Sequence, residues 1–199
     1  SQGRLINNPI IFEVRRLEDE KIETLFTLVE PRPFGPGDKE VLLLIVRNLI
    51  ATEGVVAGLL KGAVMKGIES KANEWASRHF EPAGQSKGSC RNNCCDAAKH
   101  TFGHAVVTKL VGQIYAQQYG IAHEFTGLLE ENRSNEAVMD LHNNRLGQAV
   151  GTTTAGTTPE GIGNDVLNEI RNGKALVLFN AANTDRNSLL EKSSPRCAQ

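Results

Sequence analysis

A mainly α helical bundle, with one or two short strands at most and stapled by two disulfides, is what this sequence predicts, and three observations carry that reading. Apolar residues recur at helical spacing through long stretches without proline, from Lys39 to His79 and from Asp96 to Tyr119. Only one short apolar run, ALVLF at 175–179, has the length of a strand, and its periodicity leaves its type open. Four cysteines, an even number, suit two bridges in an extracellular chain. With 199 residues, 40% of them apolar, the chain is long enough to bury a full core, and one folding unit is expected.

Residues 1–30 alternate charged and apolar positions, with Ile22, Leu25, Phe26 and Val29 at helical spacing, and read as an N-terminal arm docked on the body. PRPFGPG at 31–37 cannot continue a helix and is the expected connecting loop. Asp38 is placed to cap the next helix, opening a helical domain over 38–199. Lys39 to His79 is expected to form one long helix or two broken near glycines. Gly54, Gly58 and Gly62 recur every four residues there, a stripe that lets another backbone approach closely. Arg47, Glu53, Lys61 and Lys66 interrupt the apolar run and argue against a membrane span. FEPAGQSKGSC is then a loop, and a central helix is predicted from near Asp96 to about Tyr119, with a turn at Gly120. GTTTAGTTPEG at 151–161 reads as a long Thr/Gly loop. At its end Thr158, Pro159 and Glu160 match a cap, a first helical position and a dipole-compatible acid, and that helix is expected to stop at Asn172 and Gly173.

Cys94 and Cys95 are neighbours, so each is expected to pair elsewhere, with Cys90 and Cys197 as the remaining partners. The result is one short loop from Cys90 and one long staple from the C-terminal tail to the start of the central helix. By loop entropy the staple contributes on the order of 4 kcal/mol. The start at Ser1 without Met suggests processing of a secreted precursor, and Asn132 heads a sequon, Asn-Arg-Ser, for a surface glycan. A balance of 22 basic to 23 acidic residues supplies no electrostatic footprint for nucleic acid.

The chemistry concentrates between Cys90 and Gly147, which hold four of the five histidines. His100 and His104 lie one helical turn apart, a spacing that suits two ligands of one metal ion or an acid/base pair. Thr101 stands where HExxH would need Glu, which removes a zincin reading. His123, Glu124, Asp140 and His142 add the residue types of a mixed nitrogen/oxygen metal site or of a histidine oriented by a carboxylate. Asn143 and Asn144 are poor helix-interior residues and read as directed polar contacts, to substrate for instance, or as the start of a helix near Asp140.

The segments DAAKHTFGHAVVTKL, IAHEF and MDLHNNRLGQAVG together resemble an uncharacterised helical domain of bacterial secreted or surface-associated proteins and of some invertebrate proteins. The resemblance covers about residues 94–151. It implies that His100, His123, Glu124, Asp140, Asn143 and Asn144 occupy the family's polar positions, and it implies no reaction. His104 follows a position, here Gly103, where that family often has Trp. The order CC, His, helix, distant Asp is also loosely similar to secreted phospholipase A2, but Thr101 replaces the calcium-binding Asp of that family.

The expected function is therefore a secreted protein with a hydrolase-like site. His100, His123, Glu124 and Asp140 are its catalytic candidates, and His100, His104 and His142 the candidate ligands of one divalent ion, zinc or calcium. No GxSxG, P-loop or GxGxxG is present. The alternative is a membrane-active, toxin-like or receptor-binding molecule in which the glycine-striped helix matters and the histidines are structural.

Overall fold

The computed structural model describes residues 36–80, 90–131, 134–179, 189–193 and 197. The N-terminal arm, most of the PRPFGPG segment and the sequon residue Asn132 lie outside them. Among the described residues six helices run in chain order: α1 (Pro36–Glu53), α2 (Val55–Phe80), α3 (Cys94–Leu110), α4 (Gln113–Glu131), α5 (Ser134–Thr153) and α6 (Pro159–Arg171). Two short strands come after them, β1 (Leu176–Phe179) and β2 (Leu189–Lys192). The fold is mainly α, as the sequence predicts. Among the described residues the chain divides inside α2, after Gly67, into two compact units.

In the first unit α1 begins at Pro36, so Asp38 sits in the first turn and not at the cap position. Pro fits there because the first turn has no intrahelical use for its missing N–H. Leu42, Ile45, Val46, Leu49 and Ile50 are buried. The two-helix alternative holds: the chain breaks at Gly54, whose φ of +89° is open to glycine and strained for other residues. A Cβ on Gly58 would lie 2.5 Å from the Ile50 backbone nitrogen, so of the glycine stripe it is Gly58 that serves close packing of α2 on α1, while a Cβ on Gly54 would meet nothing within 4 Å.

The second unit is built around α3. This helix starts where the Asn93 side chain accepts N–H bonds from Cys95 (3.0 Å) and Asp96 (3.2 Å). It packs most extensively on α5 and also against α6, α4 and β1. Gly147 and Gly151 of α5 make that contact possible, because a Cβ at either would run into the carbonyls of Thr101 and Ala105. Trp75, at the end of α2, stacks on Phe102 with ring centroids 4.2 Å apart.

The expected continuous helix to Tyr119 is instead two, α3 and α4, separated at Val111 and Gly112, the latter with φ +135°. The turn expected at Gly120 is absent. Gly120 is interior to α4 because its missing side chain leaves room for the His104 imidazole, whose Cε1 would lie 2.5 Å from a Cβ there. Asp140 is likewise mid-helix and does not start one. The Thr/Gly loop shortens to 154–158, since α5 runs on to Thr153. Thr154 closes it, accepting from Gly156 N (2.9 Å) and donating to Asp165 Oδ2, while Lys109 Nζ donates to Thr154 O (2.8 Å). α6 matches expectation, with Thr158 as its cap, Pro159 in the first turn, and an end at Asn172 and Gly173, φ +77°.

ALVLF resolves as β1, antiparallel to β2 with Leu176 opposite Lys192. Cys90 pairs with Cys95, and Cys94 with Cys197, giving the short loop and the 103-residue staple. Among the described residues no helix is long and apolar enough to cross a membrane.

Candidate functional site

Three helices of the second unit converge on the His100 imidazole. α3 contributes Asp96, Lys99, His100 and His104, α4 contributes His123 and Glu124, and α5 contributes Asp140 and Asn144. The spacing 96, 100, 104 is a single face of α3, and 140, 144 a single face of α5, so each helix presents its polar groups a turn apart.

Asn144 organises the cluster. Its Nδ2 donates to Glu124 Oε1 at 3.2 Å, which leaves Oδ1 to accept from His100 Nδ1–H at 3.0 Å. The proton therefore sits on Nδ1, and Nε2 presents a lone pair. Toward that lone pair face Asp140 Oδ1 (3.4 Å) and Asp96 Oδ1 (3.7 Å). Asp140 Oδ1 has no hydrogen-bond partner among the described residues, and Asp96 Oδ1 is paired with the Lys99 ammonium at 2.6 Å. The other Asp96 oxygen accepts from Asn92 N–H at 2.6 Å. Asn92 has φ +61° inside the loop closed by Cys90–Cys95, so the short disulfide loop orients this carboxylate. Asp96, His100 and Asp140 each offer a donor atom, all within 4.8 Å of one another, and together form a buried group able to hold a metal ion.

The electrostatics stem from burial. Asp96, Glu124 and Asp140 are all under a tenth exposed, and fully ionised they outnumber Lys99 by two negative charges. Desolvation, then repulsion from Asp96, raises Glu124 to about 7, against attraction from His123 and a hydrogen bond from Asn144. Asp140 is raised well above the usual carboxylate range by desolvation, then by Asp96 and Glu124. His100 is held well below its ordinary value, first by burial and then by Lys99, His123 and His104. The close His100–Asp140 approach therefore brings an imidazole that burial keeps from charging beside a carboxyl that burial drives toward its protonated form. Lys99 is raised by Asp96 despite its own desolvation.

His104 lies beside this cluster but outside the ligand group. It is buried, its Nδ1 has no hydrogen-bond partner, and desolvation, reinforced by His123, lowers it to about 3. His123 flanks the site, 6.4 Å from His100 and 6.3 Å from Tyr119 between ring centroids. His142 is not brought to His100: it is exposed on the other side of α5 and donates from Nε2 to Lys174 O at 2.8 Å. The structure therefore does not bring together all of His100, His104 and His142, and the group it assembles that could hold a metal is Asp96, His100 and Asp140. Asn143 and Asn144 are also unavailable for the substrate contact expected of them. Asn143 spends its amide on the β1 backbone, accepting from Leu176 N and donating to Leu176 O, both at 2.9 Å, and Asn144 is committed to His100 and Glu124.

Asp96 and Lys99 are the residues that sequence reasoning passed over. Asp96 reads as a helix start, yet its position four residues before His100 places both on one face. No curated protein and no solved structure matches the chain. Residues 56–174, more than half of the sequence, match a domain family, and they contain every one of the converging side chains. The chain belongs to that family, a domain of unknown function (DUF6973).

Proposed function

We propose that this chain is a secreted, disulfide-stapled protein that binds one divalent ion of the zinc class through Asp96, His100 and Asp140, and that its chemistry is hydrolytic. The observation that carries the reading is the meeting of donor atoms from Asp96, His100 and Asp140 within 4.8 Å of one another, in a buried cluster whose three carboxyl groups, once ionised, exceed the Lys99 charge by two, an excess that one divalent cation cancels. Burying unpaired carboxylates is costly, and a cation removes that penalty. An imidazole with two carboxylates suits zinc, manganese or iron, whereas calcium takes oxygen ligands alone, so of zinc and calcium the donor set favours zinc.

Asp96, His100 and Asp140 would hold such an ion with three protein ligands, the number found in catalytic zinc sites, and the ion would supply Lewis acidity for hydrolysis. The chain does the positioning. Asn144 fixes the tautomer and angle of His100, Glu124 anchors Asn144, and the Asn92 amide holds Asp96, which is the outer-shell support such ligands need. Glu124 lies on the Nδ1 side of His100, 3.6 Å away, and so acts through the imidazole.

A metal-free acid/base reading has one observation in its favour, the value of about 7 for Glu124, which suits proton exchange near neutrality. Elemental mass spectrometry on protein purified without chelator separates the two. About one equivalent of metal in the wild type, absent from His100→Ala and Asp140→Asn, is the expected result. A folded wild type without metal that binds none on addition of Zn²⁺, Mn²⁺ or Fe²⁺ overturns the metal centre and leaves the acid/base pair.

A further inference from the structure

His142, singled out by its place in DLHNN, is left over by the buried centre and lies instead in a separate cleft of the second unit. This cleft, of about 590 Å³, opens between α5, the end of α6 and the strand pair. Its floor includes Leu146 and Leu176, and around them stand Arg145, Lys174, Lys192 and His142. No acidic side chain lines it, in a chain whose formal charge is −1. Lys174 is committed to Glu169 at 2.6 Å. Arg145 and Lys192 have no ion-pair partner among the described residues, so their charges face the cleft uncompensated.

The walls are pinned by directional bonds. Asn143 holds Leu176 by both backbone atoms, His142 holds the Lys174 carbonyl, Ser193 donates from Oγ to Ile170 O (2.6 Å) and from N to Ala175 O (2.8 Å). Leu176 and Lys192 face each other across the strand pair, which sets an apolar and a cationic group side by side. An apolar floor with a few convergent polar groups and a volume in this range is the form of a small-molecule site. Arg is the residue best shaped for a carboxylate, through its two parallel N–H donors.

We infer that this cleft binds a small organic carboxylate with an apolar body, the acid group between Arg145 and Lys192 and the apolar part on Leu146 and Leu176. The ligand is a free monomer and not a membrane surface, because the cations line a cleft together with Leu146 and Leu176. The site is independent of the metal centre on the opposite face of α5.

Decanoate below its micellar concentration is the probe, titrated into the full chain by calorimetry and mapped by backbone amide NMR shifts. One equivalent is expected to bind, with shifts confined to residues 142–146, 172–176 and 190–193. 1-Decanol should bind at least tenfold more weakly, and the Arg145→Gln/Lys192→Gln double variant should lose at least tenfold in affinity for decanoate while its circular dichroism is unchanged. His100→Ala should bind decanoate as the wild type does, so failure of the metal centre leaves this result intact. Equal affinity of the double variant, equal binding of the alcohol, or binding only to phosphatidylglycerol vesicles and not to free decanoate overturns the proposal.

Discussion

Helix α5 carries Asp140 and Asn144 toward α3, and, within the same six positions, His142 and Arg145 toward the strands and solvent. On the first face acids are buried against an imidazole, and on the second cations and a histidine stand exposed around an apolar floor. Water screens the second set, so each exposed charge is tolerated separately. The first set has no such relief, and its groups must share protons, a lysine or a cation. Polar residues adjacent in sequence thus belong to two sites with different physics, and the helical period of 3.6 is what separates them.

The contrast between faces breaks most completely at Gly147. Gly147→Val drives a side chain into the Thr101 carbonyl and the His104 Cβ, both of which are fixed in α3. We expect a loss of more than about 4 kcal/mol, read as collapse of the cooperative transition in urea. Arg145→Gln, two residues earlier and exposed, should shift the same transition by less than about 0.5 kcal/mol.

The second effect is on pH dependence. Glu124 has a folded value of about 7, above its ordinary 4.5, and Asp140 is raised too. A raised acid binds its proton more tightly in the folded state, so the unfolded state binds fewer protons between those values, and stability falls as pH rises. Metal-free protein should lose up to about 3 kcal/mol between pH 4.5 and 7 through Glu124, less to the extent that Lys99 compensates. Saturating Zn²⁺ should abolish the loss. Denaturation series across that range, with and without the ion, measure it, and a metal-free profile that stays flat would contradict the buried-acid account.

Asn144→Ala sharpens the comparison at a smaller scale. It leaves His100 Nδ1 and Glu124 Oε1 without their partner, at a cost of about 1–3 kcal/mol, and frees the imidazole to rotate. Metal affinity should fall about 10- to 100-fold, as outer-shell changes do. The exposed-face equivalent, His142→Ala, should leave metal affinity unchanged in the same titration.

Much of the fold was legible because its signals are local. The break near Gly54, the Thr158 cap, the stop at Asn172 and the exclusion of a Cys94–Cys95 bridge each depend on residues within a few positions. What escaped depends on distant partners. Gly120 reads as a turn until His104 is seen to fill its missing side chain. Asn143 and Asn144 read as helix breakers until β1 and the His100–Glu124 pair are seen to take their amides. In the candidate site, residue type marked His100, Glu124 and Asp140, whereas the local helix-start reading of Asp96 hid a member of the converging group, and sequence proximity wrongly drew in His142.

The Cys94–Cys197 bridge also decides how the protein would carry a mechanical load. Tension applied to the chain before residue 94 and after residue 197 passes through the sulfur–sulfur bond and bypasses α3, α4, α5 and α6. The bridged stretch, 103 residues apart in sequence and about 350 Å of contour if fully extended, stays unreleased. Under stretch, Asp96, His100 and Asp140 therefore remain slack and assembled while everything outside the ring is drawn out.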